Sequence, residues 1–298
     1  MRALVTGWFS FEQMGATSGD LLARDLACEW LREAGWEHDV AHAPPFRGGV
    51  DWRSVDASDY SLLVFVCGPF GENELVHDFL ERFKHCRKVG LNLSMLQPLE
   101  EWNPFDLLLE RDSSATSRPD ITFLASGNRV PAVGVVLVHP QEEYKAKAMH
   151  DSANQAVHRL LGSRELAAVA IDTRLDLNAT GLRTPGEVES LIARMDAVVT
   201  TRLHGTVAAI KNGVPPVVID PIAGGAKVKR HADTIGWPVA FTADSLNDEE
   251  LERALDFCLS AAGRAEAERC RQRAREAALR VRERFIAEQS RLGRAAKG

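Results

Sequence analysis

No apolar run in this chain approaches the roughly 20 residues that a membrane-spanning helix requires. The longest runs, Ser61–Cys67 and Pro131–Val138, stop far short, so no integral membrane segment is expected. The opening stretch MRALVTGWF has neither the apolar core nor the small-residue cleavage site of a secretory leader, and a cytoplasmic protein is the expectation. Cysteine is scarce: the 298 residues hold five, an odd number, widely spaced and never as Cys-x-x-Cys. That argues against a disulfide framework and against a zinc cluster. The patterns GxGxxG, GxxxxGK[ST] and GxSxG do not occur, which removes the usual support for dinucleotide binding, P-loop chemistry and serine hydrolysis. The histidines supply no metal set either. His38 and His42 stand four apart in a turn region rich in proline and glycine, and His77 and His85 stand eight apart with no acid at matching spacing. Neither a metal nor a cofactor is expected.

What is present is an ordinary globular mix, 45% apolar and 26% charged, long enough for two domains. The formal charge of −6 hides an asymmetry: residues 264–298 hold eleven basic and five acidic side chains, a local +6, which leaves −12 on residues 1–263. The glutamates of this tail alternate with its arginines, while Ala274, Ala278, Val281 and Phe285 keep helical spacing. An amphipathic helix with a solvated charged face explains that pattern better than a nucleic-acid-binding arm.

Short apolar runs alternate with helical periodicities, the signature of βα units and parallel sheets. In the first half, strands are predicted at Ala3–Val5, Leu62–Cys67, Val89–Leu93 and Leu107–Leu109, with helices at Leu21–Glu33 and Leu75–Phe83. The pattern restarts near Pro131. Strands are predicted at Val133–His139, Leu166–Asp172, Ala197–Thr200, Val217–Ile219 and Pro238–Phe241, with helices at Glu142–Leu161 and Thr184–Arg194. The resulting expectation is an α/β protein of two facing, Rossmann-like, doubly wound domains over residues 1–131 and 132–262. A C-terminal helix over 263–298 follows them.

The most informative segment runs from Asp196 to Asp220, DAVVTTRLHGTVAAIKNGVPPVVID. It reads as a strand, a polar turn, a helix from about Gly205 to Asn212 and a second strand, with Gly213 as the helix cap. Arg202 and His204 then fall on a strand-to-helix junction, where unpaired N–H groups and the helix dipole favour an anion. Arginine adds a fork suited to phosphate or carboxylate, and histidine carries a proton near neutral pH. The same two residues also suit a plain capping pair.

This segment resembles the most characteristic stretch of the polysaccharide pyruvyl transferase family, an Arg-Leu-His followed by a small-residue helix and Gly-Val-Pro. Three further elements are similar to parts of that family: Gly15-Ala-Thr-Ser-Gly-Asp20, Leu109-Glu-Arg-Asp112 with Ser114, and the loop Gly224–His231 ahead of Ile235-Gly236. The chain departs from the family pattern at Cys67-Gly-Pro-Phe-Gly-Glu72, where a glycine run is usual, and lacks the asparagine common before Gly19-Asp20. The resemblance implies transfer of a pyruvyl group from phosphoenolpyruvate to sugar hydroxyls as a ketal, with release of phosphate. It implies a fold similar to GT-B glycosyltransferases, with the acceptor on the N-terminal side and the donor on the C-terminal side. His204 becomes the acid that protonates the enol methylene and Arg202 the donor's anion clamp, with Arg111 and Lys227 as further donor contacts and Gly205 beside them. Gly19, Asp20 and Trp8 fall on the acceptor side, Trp8 as a face on which a sugar can stack.

Each of these residues has a plainer use. Arg111 suits an ion pair with Asp112 or Glu110, and Lys227 a basic surface loop. Asp20 suits a helix cap, Gly15 and Gly19 turns, and Trp8 core packing. Two other functions fit the same architecture: a GT-B-type glycosyltransferase whose Gly224–Gly225 cradles a nucleotide-sugar diphosphate, and a family member turned to another anionic substrate in a natural-product or envelope pathway.

Overall fold

The computed structural model describes residues 1–12, 14–127, 129–139 and 147–295. The chain divides into two units, Met1–Asn128 and Arg129–Gly298. In the first, strands β1 (Arg2–Thr6), β2 (Glu37–Val40), β3 (Leu62–Phe70), β4 (Arg87–Met95) and β5 (Leu107–Leu109) form one sheet in the order β2-β1-β3-β4-β5. Every pairing is parallel. A parallel sheet is covered on both faces, so its central strands are apolar at every position rather than at every second one. Leu4, Leu63 and Phe65 feed one core, together with Val76 and Phe79 of helix α2 (Glu74–Arg82). Their neighbours Ala3, Val5, Val64 and Val66 point to the other face, against Ala23 and Ala27 of helix α1 (Ser18–Glu33).

The second unit repeats the plan. Strands β6 (Ala132–Val136), β7 (Ala167–Ala170), β8 (Ala197–Thr200), β9 (Pro216–Asp220) and β10 (Ala240–Thr242) are parallel throughout, in the order β10-β9-β8-β6-β7. Counted from its own first strand, this is the same 2-1-3-4-5 order as in the first unit. Helix α4 (Pro185–Ile192) lies on one face; helices α3 (His150–Gly162) and α7 (Asp248–Leu259) lie on the other. The capping box anticipated at Thr184 forms, with the Thr184 hydroxyl accepting from the Glu187 N–H at 3.2 Å. Helix α5 (Leu203–Lys211) leads from β8 to β9, and helix α6 (Lys227–Ile235) from β9 to β10. Helix α8 (Ala261–Ala295) lies against α5, α6 and α7 through its first half, burying Ala267 and Cys270 completely.

Several elements differ from the sequence expectation. β2 is unpredicted because Glu-His-Asp-Val is a polar edge strand with little apolar signal. The strand expected over 133–139 ends at Val136, and its last residues form the edge loop. The helix expected over 142–161 begins at His150, while positions 142–146 lie outside the described residues. The stretch read as a Lys-containing loop is corrected to helix from Lys227 onward. Val228, Ala232 and Ile235 bury one face of it, and Gly236 closes it in the left-handed conformation (φ 72°).

Candidate active site

In a doubly wound sheet, ligands sit at the carboxyl edge where the strand order reverses. In the second unit that point lies between β6 and β8. A cavity of about 240 Å³ opens there, lined among others by Val138, Thr201, Arg202, His204, Asp220 and Lys227. Arg202, His204 and Lys227 are therefore brought together, although 25 residues separate the first from the last. The Val138 N–H donates to the Thr201 hydroxyl at 2.8 Å, which ties the exit of β6 to the exit of β8.

Thr200 shapes the turn. Its hydroxyl donates to the Val136 carbonyl at 2.9 Å and accepts the Arg202 N–H at 3.0 Å. Arg202 is the N-cap of α5, and the first intrahelical bond runs from the Thr206 N–H to its carbonyl at 3.0 Å. The N–H groups of Leu203, His204 and Gly205 thus precede the helix's own hydrogen bonding and stand free to meet an anion. Gly205 has a packing role as well: it is buried, and a Cβ there would lie 2.8 Å from Val136 Cγ1 and overlap the Thr200 hydroxyl. Only glycine lets α5 start this close to β6 and β8.

Arg202 does not stand alone. Its Nη1 lies 3.5 Å from Asp172 Oδ1, while Asp172 Oδ2 receives the ring of His139 at 3.2 Å. Burial alone would raise the Asp172 carboxyl. The N–H groups of Arg174 and Ala179, together with His139, outweigh that and hold it below the usual carboxylate range. An ionised, buried Asp172 thus stands beside the guanidinium of Arg202, which lines the cavity. Sequence reasoning missed Asp172 and His139. Asp172 was visible only as the last residue of a predicted strand, with partners 30 and 33 positions away.

Asp220 is the other organiser. Fully buried, it accepts N–H groups from Ile222 (3.1 Å), Ala226 (2.7 Å) and Lys229 (2.9 Å). These bonds fold the chain after β9 and set the first turn of α6, which carries Lys227 to the cavity rim. Gly224 and Gly225 both adopt left-handed φ angles, 73° and 77°, but the Gly224 N–H is already donated to Asp244 at 3.0 Å. A carboxylate at that position opposes a diphosphate.

The first-unit candidates take structural roles. Asp20 closes a capping box, accepting the Thr17 N–H at 2.6 Å and its hydroxyl at 2.8 Å. Gly19 lies within the first turn of the same helix. The stacking role expected of Trp8 is corrected: the ring is 7% exposed, packs edge-on against Phe65, and donates its N–H to the Pro69 carbonyl at 2.8 Å. Gly68 (φ 85°) makes that possible, since a Cβ there would come within 2.5 Å of the indole. Arg111 is held by Asp120 at 3.1 Å, by Asp112 at 3.3 Å and by the Ser94 hydroxyl.

Burial acts to raise Asp120, but the Thr122 N–H and hydroxyl, the Asn92 amide and Arg111 bring it down to about 2. A depressed carboxyl stabilises the fold above its unfolded value, near 3.9, and loses that contribution as pH falls toward the folded value. Asp120→Asn is therefore expected to reduce the steepness of acid unfolding between about pH 4 and pH 2. Denaturant midpoints measured across that range check it, and an unchanged slope overturns it.

Fold and site together define a doubly wound α/β protein with an anion-oriented pocket at the switch point of its second sheet. Residues 106–221, which contain Arg202, Leu203 and His204, match the polysaccharide pyruvyl transferase family model. No curated protein sequence matches the chain. Among solved structures it is similar to the spinosyn rhamnosyltransferase SpnG complexed with thymidine diphosphate (13% identity, 95% of this chain and 100% of that one, TM-score 0.34). It is also similar to UDP-GlcNAc 2-epimerase of Methanocaldococcus jannaschii (10%, 93% and 99%, TM-score 0.32). A third is the glycosyltransferase SnogD from Streptomyces nogalater (18%, 92% and 94%, TM-score 0.32). Among the described residues no helix is long and apolar enough to cross a membrane, and no group of three or more His, Cys, Asp or Glu is placed to hold a metal ion.

Proposed function

We propose that this protein is a cytoplasmic transferase of the pyruvyl transferase type, with phosphoenolpyruvate as donor and sugar hydroxyls as acceptor. The observation that carries the reading is the family match across 106–221, which spans the chain from β5 to the end of β9. The pocket supports it. A donor with a phosphate and a carboxylate asks for cationic and N–H donors in a small space, and Arg202, Lys227 and the start of α5 provide them. A volume of about 240 Å³ lies below the roughly 300–1,000 Å³ of ordinary ligand clefts, which favours a small donor over a nucleotide sugar. The carboxylate of Asp244 beside Gly224 weighs the same way.

In this reading His204 gives its proton to the donor's methylene carbon, leaving a cationic carbon next to the carboxylate. Two acceptor hydroxyls add to that carbon, and the bond from carbon to the phosphate oxygen breaks. One hydroxyl proton restores His204 and the other leaves with phosphate. Calorimetric titration with phosphoenolpyruvate tests the donor assignment, with a uridine-diphosphate sugar as comparison. The expected result is binding of phosphoenolpyruvate, weakened in Arg202→Ala by about tenfold or more, the equivalent of one lost charged hydrogen bond. Binding of the nucleotide sugar alone overturns the reading in favour of glycosyl transfer.

A further inference from the structure

A second, larger opening lies in the same unit, formed by helices α5, α6 and α8. This groove has a volume of about 460 Å³, within the range of small-molecule sites. Its floor is aliphatic: Val207 and Ile210 from α5, Ile235 from α6, Ala274 and Ala278 from α8. Its remaining lining is the three cations Lys211, Arg271 and Arg275 with the His231 ring, and no carboxylate lines it. The acids that pair with two of these cations lie outside the groove. Lys211 meets Glu189 at 2.9 Å, and Arg271 meets Glu268 at 3.0 Å. Arg275 has no ion pair among the described residues. Burial, with the charge of nearby His204, lowers the His231 pKa, so the ring acts as a neutral hydrogen-bonding group.

We propose that this groove binds an amphiphilic anion, an acyl or isoprenoid chain ending in a carboxylate or phosphate. The aliphatic floor takes the chain, while Arg275 and Lys211 hold the head. The long side chains of Lys211, Arg271 and Arg275 contribute methylene walls while keeping their charges at the rim. Charge disfavours the competing occupant, the α8 of a second copy. The exposed apolar residues of that helix include Leu279, Val281, Phe285 and Ile286, and the charged residues among them are Arg280, Arg282 and Arg284 with Glu283, a net excess of positive charge. Docking them would press arginines against the groove's own cations, and like charges brought together oppose association. The proposal does not depend on the pyruvyl transfer reading, since none of the residues assigned to donor chemistry lines the groove.

The full-length protein is titrated by calorimetry with decanoate and decyl phosphate, and in parallel with decanol and inorganic phosphate. Both anionic amphiphiles are expected to bind at one site. Decanol should bind about tenfold more weakly, and inorganic phosphate should give no saturable signal at the same concentrations. Arg275→Gln removes the head contact and Ala278→Trp fills the groove; both positions are exposed on α8. Each is expected to weaken decanoate about tenfold or more, while Arg282→Gln, outside the groove, leaves it unchanged. The proposal is overturned by absence of binding, by equal affinity for decanol and decanoate, or by unchanged affinity in both groove variants. Light scattering that shows a dimer abolished by Ala278→Trp also overturns it, because the groove would then be an interface between copies.

Discussion

His204→Gln is expected to lower turnover by about 10²–10⁴-fold, the usual contribution of a positioned proton donor, while phosphoenolpyruvate binds within about twofold of wild type. The separation follows from where the residue sits. His204 is exposed in the first turn of α5 and lines the cavity. Replacing it disturbs neither the Thr200 turn that sets Arg202 nor the glycine contact that seats the helix. Glutamine keeps polarity and similar bulk but cannot transfer a proton to carbon. The proposed donor contacts, Arg202, Lys227 and the N–H groups of α5, all remain. The protonation step is readable without an acceptor, as solvent deuterium appearing in the methylene group of phosphoenolpyruvate by NMR. Wild-type protein is expected to exchange and His204→Gln is not. Exchange at the wild-type rate in the variant sinks the acid assignment. Loss of donor binding as well as exchange would instead make His204 part of the anion clamp.

Much of this arrangement is legible in the sequence, and the part that is not has a physical cause. The junction after β8 announces itself locally: an apolar strand, a polar turn, a small-residue helix and Gly213, all within one stretch. The Thr184 capping box is readable for the same reason, since its two partners stand three residues apart. Asp172 and Asp220 are different. Each is an acid at the end of a strand, and nothing local distinguishes them from solvent-facing turn residues. Their roles come from backbone N–H groups and side chains that the strand order delivers from elsewhere. That order cannot be read from periodicity, because a run of βα units is compatible with several arrangements. Trp8 shows the opposite error. Its place in the first turn after a strand suggested an open rim, but an indole beside Phe65 and Phe70 gains more from burial once Pro69 accepts its N–H. Helix α6 was hidden by its basic residues, which mask the spacing of Val228, Ala232 and Ile235.

Asp220→Ala is expected to destabilise the protein by about 3 kcal/mol, the largest single stability effect among the site residues. Three backbone N–H groups converge on this fully buried carboxylate. Hydrogen bonds to a charged group are worth about 1.5–3 kcal/mol each, but bonds sharing one acceptor are not additive, and the adjoining cavity lets water reach part of the gap. Asp220→Asn keeps the shape and part of the acceptor capacity, so its loss should be smaller. Urea midpoints for the two variants check the order. A loss under about 0.5 kcal/mol in Asp220→Ala, the range of ordinary surface changes, would show that the turn after β9 is held by something else. Donor affinity decides between two opposed effects. Removing a negative charge from the cavity wall favours an anion, whereas releasing the first turn of α6 lets Lys227 drift from the rim. Asp220→Asn removes the same charge but keeps part of the acceptor for the N–H groups of Ile222, Ala226 and Lys229, so the two variants differ in how well the turn holds Lys227 rather than in charge. Phosphoenolpyruvate should therefore bind more weakly to Asp220→Ala than to Asp220→Asn. Tighter binding in both variants would mean that the carboxylate acts on the ligand directly, as a charge gate rather than as the support of the turn.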